Sequence, residues 1–268
     1  MSKRGILAVS FGTSYKETRE KNIDVLECVI KESYPNYSVR RAFTSKMIIN
    51  KLKKRDGIHT DTVSEALQRF YDDGFTHIDV VPTHIINGAE YERVVFDCRD
   101  SAEKFSKITI GRPLLSSTED YFEIIDILND EYDFDDGSSV VFMGHGSDHN
   151  GNSAYPALNF ILNEKGFDNV HIATVEGYPA LETVLDKLEK HGCKTVKLAP
   201  LMFVAGDHIQ EDMLGDDEDS WKNILEKQGY RVRGFVKGLG ELPKIRNLYL
   251  KHLKDAIEER ELVIEGGI

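Results

Sequence analysis

His145, Glu176 and His208 are the three side chains whose types and places in the chain could hold a divalent metal ion. Each stands just past an apolar run, in Met143-Gly144-His145, Thr174-Val175-Glu176 and Val204-Ala205-Gly206-Asp207-His208. Neutral imidazole and carboxylate suit borderline ions such as cobalt, iron, nickel or zinc. Three protein ligands also leave a coordination position open for a donor from another molecule. The separations are long, unlike the compact H-E-x-x-H of a metalloprotease, so spacing alone leaves other roles open. A strand-end histidine can cap a helix or bond a carbonyl, and Glu176 can be a solvated carboxylate at a helix start.

The elements that must position these residues read as short apolar runs alternating with segments of helical period. Strands are expected over 5–9, 38–43, 77–81, 107–110, 139–143, 169–175, 195–201 and 230–235. Helices are expected over 16–33, 60–71, 91–105, 117–129, 154–164, 180–191, 220–228 and 242–259. Continuous apolar strands predict burial on both faces, as in parallel sheets with right-handed crossovers and helices on either side. Ligands of such sheets bind beyond the carboxyl ends of the strands. His145, Glu176 and His208 follow the first, second and third strands of the second half, which places their strand ends side by side.

The chain also repeats itself. Ile78-Asp79-Val80-Val81-Pro82 with Gly88 returns 118 positions later as Val196-Lys197-Leu198-Ala199-Pro200 with Gly206. Upstream, Asp73-Gly74-Phe75 faces His191-Gly192-Cys193 at the same offset. With gaps, Val39-Arg40-Arg41-Ala42 faces Val170-His171-Ile172-Ala173, and Ser10-Phe11-Gly12 faces Gly144-His145-Gly146. His145 thus opposes Phe11 and His208 opposes Glu90, so both histidines belong to the second half. The predicted class is α/β, two similar halves related by internal duplication, each a parallel sheet flanked by helices. The acidic, Gly/Ser-bearing stretch 130–138 is the expected boundary, giving an N-terminal lobe over 1–135 and a C-terminal lobe over 136–268 that carries the histidines.

Composition narrows the function. A length of 268 residues suits two domains of ordinary size or one large one, and 40% hydrophobic with 30% charged is ordinary for a globular enzyme. No apolar run approaches the roughly 18 residues of a membrane span, and the first strand is too short for a secretory leader, so a cytoplasmic protein is expected. Cys28, Cys98 and Cys193 stand singly, which suits reduced thiols rather than disulfides or a zinc ribbon. A net charge of −12 opposes nucleic-acid binding. No phosphate-cradling glycine motif follows a strand, Ser147 lacks a G-x-S-x-G setting, and Gly144-His145 lacks the preceding arginine of a phosphohistidine phosphatase.

Four segments resemble the anaerobic sirohydrochlorin cobaltochelatases, CbiK-type class II chelatases. They are Ile6-Leu7-Ala8-Val9-Ser10-Phe11-Gly12-Thr13-Ser14, His84-Ile85-Ile86-Asn87-Gly88 with Glu90-Tyr91-Glu92, Met143-Gly144-His145-Gly146-Ser147, and Pro200-Leu201-Met202-Phe203-Val204-Ala205-Gly206-Asp207-His208. The resemblance implies a bilobal chelatase that inserts Co2+ into sirohydrochlorin, with His145, Glu176 and His208 at the family's metal-binding positions. Sirohydrochlorin and a divalent ion would be the partners, with Fe2+ or Ni2+ as other candidate ions. No cofactor beyond that ion, no nucleic acid and no membrane are expected, and a small homo-oligomer is compatible. Ferrochelation toward sirohaem and a non-enzymatic tetrapyrrole or metal carrier are the alternative functions.

Metal insertion displaces the inner N–H protons of the macrocycle, so bases are needed near the ring. His145 and His208 can serve as such bases, and Glu90, at the slot of His208 in the repeat, is a further proton acceptor. His84 is similar in standing and is read as having no counterpart in the repeat. Phe11 and Met202 are candidates for packing on the macrocycle, and Lys46 for meeting one of its carboxylates. The expectation is a tetrapyrrole between the halves with metal approaching from the second.

Overall fold

The structure is a computed structural model that describes residues 3–267. In chain order its elements are β1 (Arg4–Ser10), α1 (Lys16–Arg19), a π-helical turn (Glu20–Asp24), α2 (Val25–Ser33), β2 (Ser38–Phe43), α3 (Lys46–Asp56), α4 (Val63–Asp72), β3 (His77–Pro82), α5 (Ala89–Asp100) and β4 (Lys107–Ile110). There follow α6 (Thr118–Tyr132), β5 (Ser139–Gly144), α7 (Ala154–Glu164), β6 (Val170–Thr174), α8 (Leu181–His191) and β7 (Thr195–Pro200). A second π-helical turn (Ile209–Met213), α9 (Trp221–Lys227), β8 (Arg231–Gly234), α10 (Pro243–Ile257) and β9 (Leu262–Glu265) complete the order.

The chain divides into two units, one running to Leu114 and resuming at Gly240, the other Leu115–Leu239. The first contains a sheet in the order β2-β1-β3-β4-β9, the second a sheet in the order β6-β5-β7-β8. Both follow the same winding, and the second is wholly parallel. The first is mixed, because β9 pairs antiparallel with β4, Ile108 opposite Ile264. The expected purely parallel first sheet therefore needs correction at one edge.

The expected boundary at 135/136 also moves. The acidic stretch is no linker: Tyr132 and Phe134 are buried, and Lys197, buried in β7, reaches the Asp136 carboxylate at 2.7 Å and the Tyr132 carbonyl at 2.5 Å. Lys197 holds the Asp136 carboxyl down to about 2. Asn169 Nδ2 donates to the carbonyls of Phe134 and Ser138, which docks the same stretch on β6. At the other end α10 returns to the first unit, where the Tyr249 hydroxyl donates to the Thr83 carbonyl at 3.0 Å and Arg112 pairs with Asp255 at 2.8 Å.

The duplication is visible in backbone hydrogen bonds. Pro82 and Pro200 close β3 and β7, lying opposite Val9 and Met143 respectively. The Thr83 N–H donates to Val9 as the Leu201 N–H does to Met143, and Gly111 bonds Val80 as Phe235 bonds Leu198. The two repeats close alike, with Leu114 N–H on the His84 carbonyl and Leu239 N–H on the Met202 carbonyl, both at 2.9 Å. His84 thus does have a counterpart, and it is Met202. The central strands β1, β3, β5 and β7 are buried almost throughout, β5 wholly so, which is why they read as apolar runs, whereas β2, β8 and β9 at the sheet edges are partly exposed.

Burial of two histidines gives the fold an acid sensitivity. His171 is buried in β6 with no partner for Nε2, and His84 is partly buried with both ring nitrogens sealed from solvent and unpartnered. Desolvation lowers each to about 4. The unfolded chain protonates these imidazoles near the ordinary 6.5, so it binds more protons than the native state between the two values. Stability is then full above about 6.5 and is lost as pH falls towards 4, on the order of 3 kcal/mol per histidine. Urea midpoints measured from pH 7 to 4.5 should fall steeply, and His171→Leu should flatten the slope. An unchanged slope in that variant would remove His171 as its source.

Candidate metal centre

The site is assembled at the carboxyl ends of β5, β6 and β7, all within the second unit. Beyond the paired strands the β5 and β6 loops stay together: Val175 N–H donates to Gly144 at 3.1 Å, and Glu176 N–H to the His145 carbonyl at 2.8 Å. Gly146 makes this approach feasible. Its φ is +84°, and a Cβ there would lie 2.7 Å from Gly177 N and 2.8 Å from Thr174 Cβ. Asn152 joins the same loops, its Oδ1 accepting from Ser147 N–H at 3.0 Å while its Nδ2 donates to the Tyr178 carbonyl at 2.6 Å. Beneath them Tyr155 is fully buried against Gly144, where burial pushes its hydroxyl up to about 12 and keeps it neutral.

His145 Nδ1 lies 3.0 Å from the Gly146 carbonyl and 3.8 Å from Glu176 Oε2. A carbonyl can only accept, so that nitrogen carries the proton and Nε2 the lone pair. His208 stands edge-on to His145, ring centroids 4.8 Å apart at 86°. Its Nδ1 lies 2.5 Å from Asp212 Oδ2, which by the same reasoning leaves Nε2 as its donor atom.

One ligand atom each from His145, Glu176 and His208 lies within 4.8 Å of the others. A tetrahedral ion with bonds of about 2.1 Å spaces its ligand atoms roughly 3.4 Å apart. The side chains are 42%, 59% and 33% exposed, so modest rotations close that difference. Their chemistry fits a borderline divalent cation, with room for further donors.

Met202, the fourth sequence candidate in this unit, packs partly buried against its core. Phe11, Lys46, His84 and Glu90 belong to the first unit. Phe11 follows β1 and is 40% exposed; Lys46 and Glu90 are exposed in the opening turns of α3 and α5. His84 has a sealed ring, edge-on to Tyr91 at 6.4 Å. Sequence reasoning missed Asp212, although its separation of four residues from His208 in a helical stretch was a readable signal. It also missed Asn152, whose loop-joining role depends on contacts that no spacing encodes.

The chain matches the family model described as Cobalt chelatase (CbiK) over residues 4–258. It is 41% identical to the sirohydrochlorin cobaltochelatase of Salmonella typhimurium over 256 residues, 95% of this chain and 97% of the relative. It is 35% identical to the sirohydrochlorin cobaltochelatase CbiKC of Nitratidesulfovibrio vulgaris, covering 96% of this chain and 92% of that one. Among solved structures, SirB from Bacillus subtilis with Fe3+ shares the fold at a TM-score of 0.66 and 17% identity, over 96% of this chain and 97% of that chain. With a family match over nearly its whole length and relatives this similar from end to end, the chain belongs to the cobalt chelatase (CbiK) family.

Proposed function

We propose that this protein is a sirohydrochlorin cobaltochelatase, inserting Co2+ into sirohydrochlorin for anaerobic cobalamin biosynthesis. The observation that carries the reading is the convergence of His145, Glu176 and His208 in a chain of the cobalt chelatase family. The metal is a substrate here. In the reaction a divalent ion replaces the two inner N–H protons of the macrocycle, so charge balances and no redox cofactor is called for.

On this reading His145, Glu176 and His208 hold the ion until ring nitrogens displace them. Glu90 takes a pyrrole proton, with His145 and His208 as further bases. Phe11, exposed beyond β1, is assigned an apolar contact with the ring, and Lys46 a substrate carboxylate. Met202 and His84 are better supported as positioning residues, since one packs on a core and the other keeps its ring nitrogens sealed.

The direct test mixes purified protein, sirohydrochlorin and Co2+ or Fe2+ under anaerobic conditions and follows absorption against a protein-free control. Many turnovers per chain, faster with Co2+, are expected. A single stoichiometric uptake would make the protein a carrier. His145→Ala and His208→Ala should each weaken Co2+ binding by more than the roughly 10–100-fold that loss of an outer partner costs, with chelation falling in parallel. Unchanged affinity in both variants would remove the proposed centre.

Glu90→Gln should separate the two steps. Insertion should slow by roughly 100-fold, within the range for loss of a general base, while Co2+ affinity stays near that of the unsubstituted chain. An equal loss of metal affinity would put Glu90 among the ligands, and an unchanged rate would take it out of the mechanism.

A further inference from the structure

We infer that Asp212 is a positioning residue for the metal centre: its carboxylate fixes the tautomer and orientation of His208 so that Nε2 is presented to the ion. The inference rests on the proposed metal-binding role of His208 and deepens it. His208 Nδ1 and Asp212 Oδ2 are 2.5 Å apart, within hydrogen-bond reach, and an ionised acceptor makes such a bond stronger than a neutral one. Imidazoles that bind metals commonly donate their other N–H to a carboxylate, which raises the basicity of the donor nitrogen as well as orienting the ring.

The duplication argues that the carboxylate does not serve the fold. At the repeat's offset of 118 positions, Asp212 corresponds to Val94, just as His208 corresponds to Glu90. Val94 is fully buried in the regular helix α5 and belongs to the core of the first unit. In the second unit the core is filled one place further on by the fully buried Met213, because the turn is π-helical, so the partly exposed acid is not needed for packing and occurs only in the half that has the histidine.

Local backbone geometry points the same way. His208 leads into the π-helical turn Ile209–Met213, whose wider winding brings residues four apart more nearly into line than an α-helix does. Ile209 and Met213 are fully buried and anchor the turn, while Asp212 stays partly exposed beside the imidazole. Gly215 closes the turn, its N–H on the Glu211 carbonyl at 3.1 Å; a Cβ there would meet that oxygen at 2.2 Å. The turn is thus held on both sides of the acid, so the carboxylate is delivered to one nitrogen of one ring.

The experiment titrates Co2+ alone into the full chain, reading affinity by calorimetry and ligand geometry by the visible d–d absorption of the bound ion. Asp212→Ala should weaken Co2+ binding by about 10–100-fold and alter the spectrum. Asp212→Asn, which keeps an acceptor oxygen without the charge, should lose less. Glu211→Gln removes a neighbouring charge that does not touch His208 and should change neither reading. In turnover, KM for Co2+ should rise in Asp212→Ala while KM for sirohydrochlorin holds, a split that general loss of structure would not produce. Unchanged affinity and spectrum in Asp212→Ala, with His208→Ala defective, would overturn the role of Asp212 and leave the centre standing. Equal losses in Glu211→Gln and Asp212→Asn would reduce the effect to net charge and overturn it as well. If His208→Ala also binds Co2+ normally, it is the metal centre itself that fails.

Discussion

Everything in the candidate centre depends on how closely the loops beyond β5 and β6 can run. The parallel pairing of these strands, Gly144 opposite Thr174, continues for two more residues through Val175 and Glu176, whose N–H groups reach the carbonyls of Gly144 and His145. That continuation needs a residue without a side chain at 146, because the backbone there has positive φ and a Cβ would lie under 3 Å from Gly177 N and Thr174 Cβ. An alanine would be strained by its φ and would also force the loops apart. His145 and Glu176 are 3.8 Å apart at their side chains because their backbones are already bonded at 2.8 Å.

The same scaffold exists in the first unit, where it holds different side chains. Ser45 N–H donates to the Phe11 carbonyl at 3.2 Å, and Gly12 takes φ +99°, matching Glu176, His145 and Gly146 in turn. Ser45, however, uses its hydroxyl to cap α3, accepting from Ile48 N–H at 3.3 Å, and Phe11 offers only an apolar ring. The strand-end geometry is therefore a property of the fold, common to both units, whereas the ligand-type side chains are a property of one. This is why a comparison of the halves singles out the candidate ligands more sharply than spacing within either half.

The sequence was most legible where burial is two-sided. All eight expected strands form; β1, β3, β5 and β7 are the buried apolar ones, whereas β2 and β8 carry arginines and were read from their place in the β-α alternation. Strand β9 went unread because Leu262–Glu265 is only four residues long and is defined by antiparallel pairing with a strand some 150 positions earlier. Helix α3 was hidden by its basic residues, its buried face resting on Ile48, Ile49 and Leu52 alone. The acidic stretch 130–138 looked like a linker because composition cannot register the buried lysine that meets it. His145, Glu176 and His208 were readable as strand-end residues; Asp212 and Asn152 act through partners that only the folded loops bring near.

The exposure of the three candidate ligands also bears on what kind of metal site this is. Ions that stabilise folds are enclosed by four protein ligands, whereas sites that act on a ligand keep positions open. A chelatase needs more than an open position, since its ion must leave for four ring nitrogens. On the proposed metal-binding role, three side chains one-third to three-fifths exposed have room to leave an ion without breaking the backbone bonds beneath them. On the same proposal, the loop backbone bonds and the His208–Asp212 contact hold the two histidines, and the Glu176 carboxylate is the most exposed of the three. A carboxylate that can shift between one and two bonding oxygens is suited to departing first, so Glu176→Asp, with a shorter reach, should alter the rate of metal transfer more than the affinity for metal. Stopped-flow absorption with preloaded Co2+ checks this, and equal changes in rate and affinity would place Glu176 with the histidines as a fixed anchor.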